Sequence, residues 1–201
     1  MRDRGRPVLA PGRRLFVAIP VPTAVRDSVV ALVERVRADA DPAARDVRWV
    51  RLDGLHLTLR FLGPTEDDRI ASVAEAVDRA APSIAPFDIV IAGAGAFPSP
   101  ARPRTLWLGV DSGGDQLAAA ASHLDDALAP SGWTREDRPY RAHLTLARSD
   151  GVRTGPTVAQ RLIDAAKDVR ESFKAESIVL FESISGEGPA RYEPLHEVPL
   201  G

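Results

Sequence analysis

His56-Leu57-Thr58-Leu59 and His143-Leu144-Thr145-Leu146 are the same tetrapeptide, met twice, 87 positions apart, in a chain of 201 residues. Each copy alternates polar and apolar residues with the period of a β-strand, whose side chains point to opposite faces in turn. Leu55, Leu57 and Leu59 therefore share one face while His56 and Thr58 share the other, and Leu144 and Leu146 stand likewise against His143 and Thr145. The leucine rows predict burial; the His/Thr rows predict a face left open to a common space. Strand rise sets each threonine about 6.5 Å along from its histidine, near enough for both to reach one small anion. One H-x-T-x is what any half-buried strand can show, since threonine is a good strand former. A second copy in a corresponding place points to an internal duplication with a shared site.

Outward from the first copy, Leu15-Phe16-Val17-Ala18-Ile19 is an apolar run of strand length ended by Pro20 and Pro22. Val25, Val29, Leu32, Val33 and Val36 then mark one face of a helix over residues 23–38. Short strands are predicted at 47–50 and 55–61, the latter stopping at Gly63-Pro64. Thr65 with Asp68 has the form of a capping box before a helix carrying Ile70, Val73, Ala74 and Val77. A strand over 87–92 closes the first half. The second half repeats the order less regularly: strand 105–110, a helix facing inward through Leu117, Ala120, Ala121, Leu124 and Leu128, and strand 142–147. A helix from Gly155-Pro156 and strands over 175–184 and 191–198 complete it. Short, often consecutive strands favour an α+β fold with mainly antiparallel sheets over a doubly wound parallel one.

Composition limits the chemistry. Hydrophobic residues make up 44% of the chain and charged residues 27%, which suits a folded domain. Twenty-six basic against 28 acidic residues give a net charge of −2, so bulk charge does not hold this chain to nucleic acid; any phosphate site must be a local cluster. Only Lys167 and Lys174 among the basic residues are lysines, the rest being arginines, whose planar fork grips phosphate in two places. No cysteine is present, which excludes disulfides, thiolate metal sites and a cysteine nucleophile. No apolar run approaches the length of a membrane helix and no signal peptide opens the chain, so a cytoplasmic protein is expected. The basic stretch over residues 1–13 reads as a disordered tail.

A metal site is a poor reading of the two histidines, because no other histidine lies within five residues of either and no cysteine exists to complete a set. Paired acid–base chemistry suits them better. An imidazole with a pKa of about 6.5 holds or releases a proton near neutrality, and threonine hydroxyls donate hydrogen bonds to phosphoryl oxygens. In-line displacement at phosphorus needs a base on one side and an acid on the other, which two pseudo-twofold lobes can supply.

At these residues the chain resembles the 2H phosphoesterase superfamily, and within it the RNA 2′,3′-cyclic phosphodiesterases, also called 2′-5′ RNA ligases. The likeness rests on residues 14–19, 56–63, Phe97, 106–110, 143–148 and the region of Tyr192. It implies a single bilobal domain over residues 14–201, each lobe a mainly antiparallel sheet backed by helices, with an active-site cleft between. It implies metal-independent hydrolysis of an RNA terminal 2′,3′-cyclic phosphate to a 2′-phosphate, with 2′-5′ ligation as the reverse, no cofactor, and action as a monomer on tRNA-like fragments or oligonucleotides. His56 would be the proton donor, His143 the base, and Thr58, Thr145 and Arg148 the phosphate ligands. Ala142 stands where the family usually has proline. Two alternatives stay open: a non-catalytic binder of RNA ends, and a phosphodiesterase for 2′-5′ oligonucleotides or an ADP-ribose cyclic phosphate.

Arg148 is a physical puzzle. Five residues past His143, strict alternation sends it to the opposite face, so the strand must end or bulge after Ala147 for it to turn in. Arg60 falls on the face of His56 and Thr58 and is expected either to line the cleft or to stand on its solvated rim. Phe97, in the loop phrase Phe97-Pro98-Ser99-Pro100, is the first choice to stack on a base, with Phe61 and Trp49 behind it and Trp107 in the core. Arg102, Arg104, Arg135, Arg138 and Arg141 read as loop charges, His123 and His196 as surface residues, and Gly93-Ala94-Gly95 and Gly186-Glu187-Gly188 as turns.

Overall fold

The apolar faces read from the periodicity are the faces that bury. In the computed structural model, which describes residues 12–151 and 153–201, the first helix sinks Val25, Val29, Leu32, Val33 and Val36, and the third sinks Leu117, Ala120, Ala121, Leu124 and Leu128. The elements run β1 (Arg13–Pro20), α1 (Thr23–Asp39), β2 (Arg48–Trp49), β3 (His56–Thr65), α2 (Ile70–Ala80), β4 (Phe87–Phe97) and β5 (Thr105–Ser112). They continue with α3 (Gly114–Leu128), β6 (His143–Arg148), α4 (Gly155–Ala165), β7 (Arg170–Ala175), β8 (Ser177–Gly186) and β9 (Gly188–Pro199). Of the tail expected over 1–13, positions 1–11 lie outside the described residues; Arg13 already belongs to β1, where its guanidinium meets the Glu182 carboxylate at 2.5 Å.

Two antiparallel sheets form, in the orders β3-β1-β8-β9 and β2-β6-β5-β4-β7. Helices α2 and α3 pack together behind the first sheet, and α1 and α4 behind the second. The α+β, two-lobed expectation therefore holds, with one refinement. The lobes are not the two halves of the chain, because β4 joins the second sheet and β8 and β9 return to the first. The motif strands occupy matching places: β3 then β1, and β6 then β5. The second sheet alone adds a strand, β2, outside its motif strand.

Several boundaries differ from the sequence reading, each for a local reason. The strand after His56 does not stop at Gly63-Pro64 but runs to Thr65. Leu62 is an extra residue in the register (Leu15 faces Gly63, Phe16 faces Phe61), Gly63 takes φ +75°, and Pro64 lies on an edge strand that tolerates a missing N–H. Thr65 caps no helix. Its hydroxyl donates to the Gly63 carbonyl, and a 3₁₀ turn over Asp67–Arg69 leads into α2. Gly93-Ala94-Gly95 lies inside β4, following a bulge at Ala92-Gly93 with Gly93 at φ +67°, so Phe97 ends a strand instead of sitting in a loop. The run 175–184 is split at Glu176, where the chain passes from the second sheet to the first. Gly186-Glu187-Gly188 is the β8–β9 turn, as read.

Candidate active site

Strands β3 and β6 meet where the lobes meet. The Tyr140 hydroxyl, just before β6, donates across the gap to the Thr58 carbonyl at 2.9 Å, and burial pushes that phenol's pKa up, so it stays a donor. Beside this join lies a cavity of about 720 Å³ whose walls include His56, Thr58 and Phe61 from β3 and Thr145 and Arg148 from β6. His143 precedes Thr145 on the same face of β6, but is not itself a wall of that cavity. Three of the four sequence-predicted His/Thr residues, His56, Thr58 and Thr145, are thus brought to one cavity by strands that never pair with each other, with His143 beside it on β6.

Each imidazole is held the same way. His56 Nδ1 lies 2.7 Å from the Gly54 carbonyl, and His143 Nδ1 lies 2.7 Å from the Arg141 carbonyl. A carbonyl has no proton to give, so Nδ1 donates in both and Nε2 is left with its lone pair. The rings also have aromatic supports. Phe16 lies 4.6 Å from the His56 ring and Tyr192 meets it edge-on at 4.9 Å. Gly54 allows that approach, since a Cβ there would sit 2.9 Å from the Tyr192 ring. Phe97 meets His143 edge-on at 5.1 Å and packs on Trp107 at 5.0 Å. Burial holds both histidines below the ordinary imidazole pKa, against the opposing pull of their carbonyl partners. The Arg148 charge depresses His143 further. The same guanidinium acts on Tyr192 of the other lobe, against the upward push of burial, so Arg148 stands electrically between the two lobes.

The puzzle of Arg148 resolves through a bulge, one step earlier than expected. Leu106 faces Ala147 and Trp107 faces Thr145, which leaves Leu146 as the extra residue. Leu146 and Ala147 are then both buried, and Arg148 returns to the face of Thr145, where it donates to the Thr105 hydroxyl at 3.0 Å. In β3 the same thing happens: Val17 faces Arg60, Ala18 faces Thr58, and Leu59 is extra. The burial sequence along His56–Phe61 matches that along His143–Arg148 residue for residue.

This corrects the expectation for Arg60. It is turned out of the cleft into the first lobe, 9% exposed, with Nε 2.9 Å from Asp125 Oδ1 of α3 and NH2 donating to the Thr134 carbonyl. Phe61 takes the cleft position instead and is 65% exposed, the one exposed large hydrophobic among the described residues. Phe97 is corrected too: its ring backs His143 and is not free in a loop. Trp107 is half-buried on the cleft side, not in the core. Strict period-2 reading could not find these exchanges, because nothing in Leu57-Thr58-Leu59 announces a bulge. Tyr192 and Arg48 also line the cleft, the second unremarked in the sequence reading. His196 pairs with Asp78 at 2.8 Å, away from the site. Among the described residues no group of three or more His, Asp or Glu side chains is placed to hold a metal ion, and no helix is long and apolar enough to cross a membrane.

Comparison with known proteins agrees with this geometry. Residues 23–187 match the model of the 2′-5′ RNA ligase superfamily. An RNA 2′,3′-cyclic phosphodiesterase of Aeropyrum pernix is 31% identical over 171 residues, 85% of this chain and 96% of its own. One from Archaeoglobus fulgidus is 34% identical over 73% of this chain and 77% of its own. The crystal structure of E. coli LigT complexed with 3′-AMP superposes with a TM-score of 0.67 at 28% identity, covering 94% of this chain and 98% of that one.

The Arg60–Asp125 pair has a measurable consequence. Asp125→Ala strands a buried guanidinium, leaving it the Thr134 carbonyl and the more distant Glu136 carboxylate at 3.6 Å, and is expected to lower the free energy of unfolding by about 3 kcal/mol. Asp126→Ala releases only the exposed Arg135 and is expected to change it by less than about 1 kcal/mol. Urea denaturation of both variants beside the parent protein checks the contrast.

Proposed function

The chain belongs to the 2′-5′ RNA ligase superfamily, and on that premise we propose that it hydrolyses the 2′,3′-cyclic phosphate at an RNA end to a 2′-phosphate, using His56 and His143 as acid and base. The observation that carries the reading is the matched pair of Nδ1–carbonyl hydrogen bonds, which aim two free Nε2 atoms from two lobes. His143 Nε2 takes a proton from water as the oxygen attacks phosphorus. The bond to the 3′ oxygen breaks, and His56, protonated at Nε2, gives its proton to that oxygen, leaving the 2′-phosphomonoester. Thr58, Thr145 and Arg148 stabilise the charge gathering on the non-bridging oxygens. Burial of His56 favours release of its proton, as a general acid requires. The reverse reaction forms a 2′-5′ linkage and is disfavoured by the concentration of water. One chain supplies both histidines, which suits action as a monomer, and an RNA substrate suits a cytoplasmic location. The name of the relatives that share this fold, RNA 2′,3′-cyclic phosphodiesterase, supports the substrate class.

His56→Ala and His143→Ala are each expected to lower turnover of a nucleoside 2′,3′-cyclic phosphate by about two to four powers of ten, with the parent enzyme retaining its rate in excess chelator. Full activity in either variant removes the mechanism. Because both imidazoles lie below the ordinary value of about 6.5, the singly protonated pair is most populated on the acid side of it. The profile of kcat/KM against pH should be a bell with its maximum below 6.5. Phe61 offers the ring on which the terminal base stacks. Phe61→Ala should raise KM about tenfold with kcat little altered, the cost of one lost base–aromatic stack, as read from steady-state kinetics.

A further inference from the structure

Three arginines, Arg14, Arg48 and Arg148, line the cleft, and among the described residues no Asp or Glu does. Several arginines elsewhere on the surface have acidic partners, among them Arg13 with Glu182, Arg51 with Asp53 and Arg170 with Asp111. Arg148 is tethered to the Thr105 hydroxyl. Arg48 is exposed, and its side chain makes no hydrogen bond or ion pair with any described residue. Yet its place is well determined. It lies directly opposite Arg148 in the β2–β6 register. Trp49, the next residue, sends its side chain to the other face and donates from Nε1 to the Ala44 carbonyl at 3.2 Å, and Val50 N continues the pairing to the Leu146 carbonyl at 2.9 Å.

Like charges directly opposite on neighbouring strands repel, so the bare protein holds these two cations together at a cost. Strand β2 is two residues long and has no counterpart beside β3 in the other sheet. What it adds to the cleft is the Arg48 guanidinium. The reacting cyclic phosphodiester carries a single negative charge, which Arg148 and the two threonines already meet. The remaining positive charge calls for another anion, close by and covalently part of the same ligand. Resting on the activity read above, we propose that Arg48 is the principal ligand of a second phosphate, that on the 5′ side of the terminal nucleotide, and that the cleft thereby selects an oligonucleotide end over a nucleoside cyclic phosphate.

Three substrates test this: a nucleoside 2′,3′-cyclic phosphate with a free 5′-hydroxyl, the same compound bearing a 5′-phosphate, and a dinucleotide ending in the cyclic phosphate. The parent enzyme should show kcat/KM about tenfold higher on the second and third than on the first, the gain expected of one charge-assisted hydrogen bond. In Arg48→Gln that preference should collapse toward one, with Arg48→Lys, which keeps the point charge, recovering part of it. On the dinucleotide, Arg48→Gln should also make the dependence of log kcat/KM on log salt shallower by about 0.7, one phosphate contact on a single strand. Equal parent activity on all three overturns the proposal, as does a preference that survives Arg48→Gln. A gain confined to the dinucleotide also overturns it, since the second base and not the phosphate would then be the source. Failure of the parent enzyme to hydrolyse any of the three removes the activity reading itself, and this inference with it.

Discussion

Alternation along β3 and β6 governs where every group in the cleft stands, and both strands break it at the same step. Each holds its histidine and threonine on one face for two pleats, inserts one extra leucine, and then presents its sixth residue to the cleft. Without the insertion, Arg148 would point into the helices behind the second sheet and Phe61 into those behind the first. A bulge costs a ladder bond and adds twist. Here it converts two ordinary edge-facing strands into walls whose far ends carry an aromatic ring on one side and a guanidinium on the other.

The two walls are alike in backbone and unlike in chemistry, and the difference divides their labour. His56 sits among Phe16, Tyr192 and Phe181, an apolar setting that resists a positive charge. His143 has one aromatic edge and the Arg148 charge, so its depression has an electrostatic part as well as a solvation part. A twofold frame therefore delivers two nitrogens in equivalent poses while letting each lobe tune its own. At the sixth position of the motif the charge belongs to one side only, since the pseudo-equivalent of Arg148 is Phe61. The second lobe presents a guanidinium at that position and the first a planar ring.

Support for the site comes from polar contacts that do not touch it. The Tyr140 hydroxyl ties the approach to β6 onto the backbone of β3, so the lobes are joined at the level of Thr58. Arg60, rotated inward by the same bulge that exposes Phe61, joins β3 to α3 through Asp125 and to the following loop through the Thr134 carbonyl. A buried ion pair contributes little net stability but is expensive to break, which makes it a register lock: the bulge slips only if a guanidinium loses its partner.

The helix faces, the strand content, the repeated motif and the identity of the two His/Thr pairs were legible in the linear chain. Periodicity is a local property, and the leucine and valine rows that carry it are the residues that bury. The chain order even hinted at a duplication, though it could not say that β8 and β9 return to the first sheet, because strand pairing is decided by contacts distant in sequence. Side-chain parity beyond Thr58 and Thr145 was likewise out of reach. A bulge is set by the register of the neighbouring strand, β1 in one case and β5 in the other, so the exchange of Arg60 for Phe61 and the return of Arg148 depend on partners that the motif itself does not contain. Local alternation names the two His/Thr pairs; only long-range pairing decides which neighbours face them.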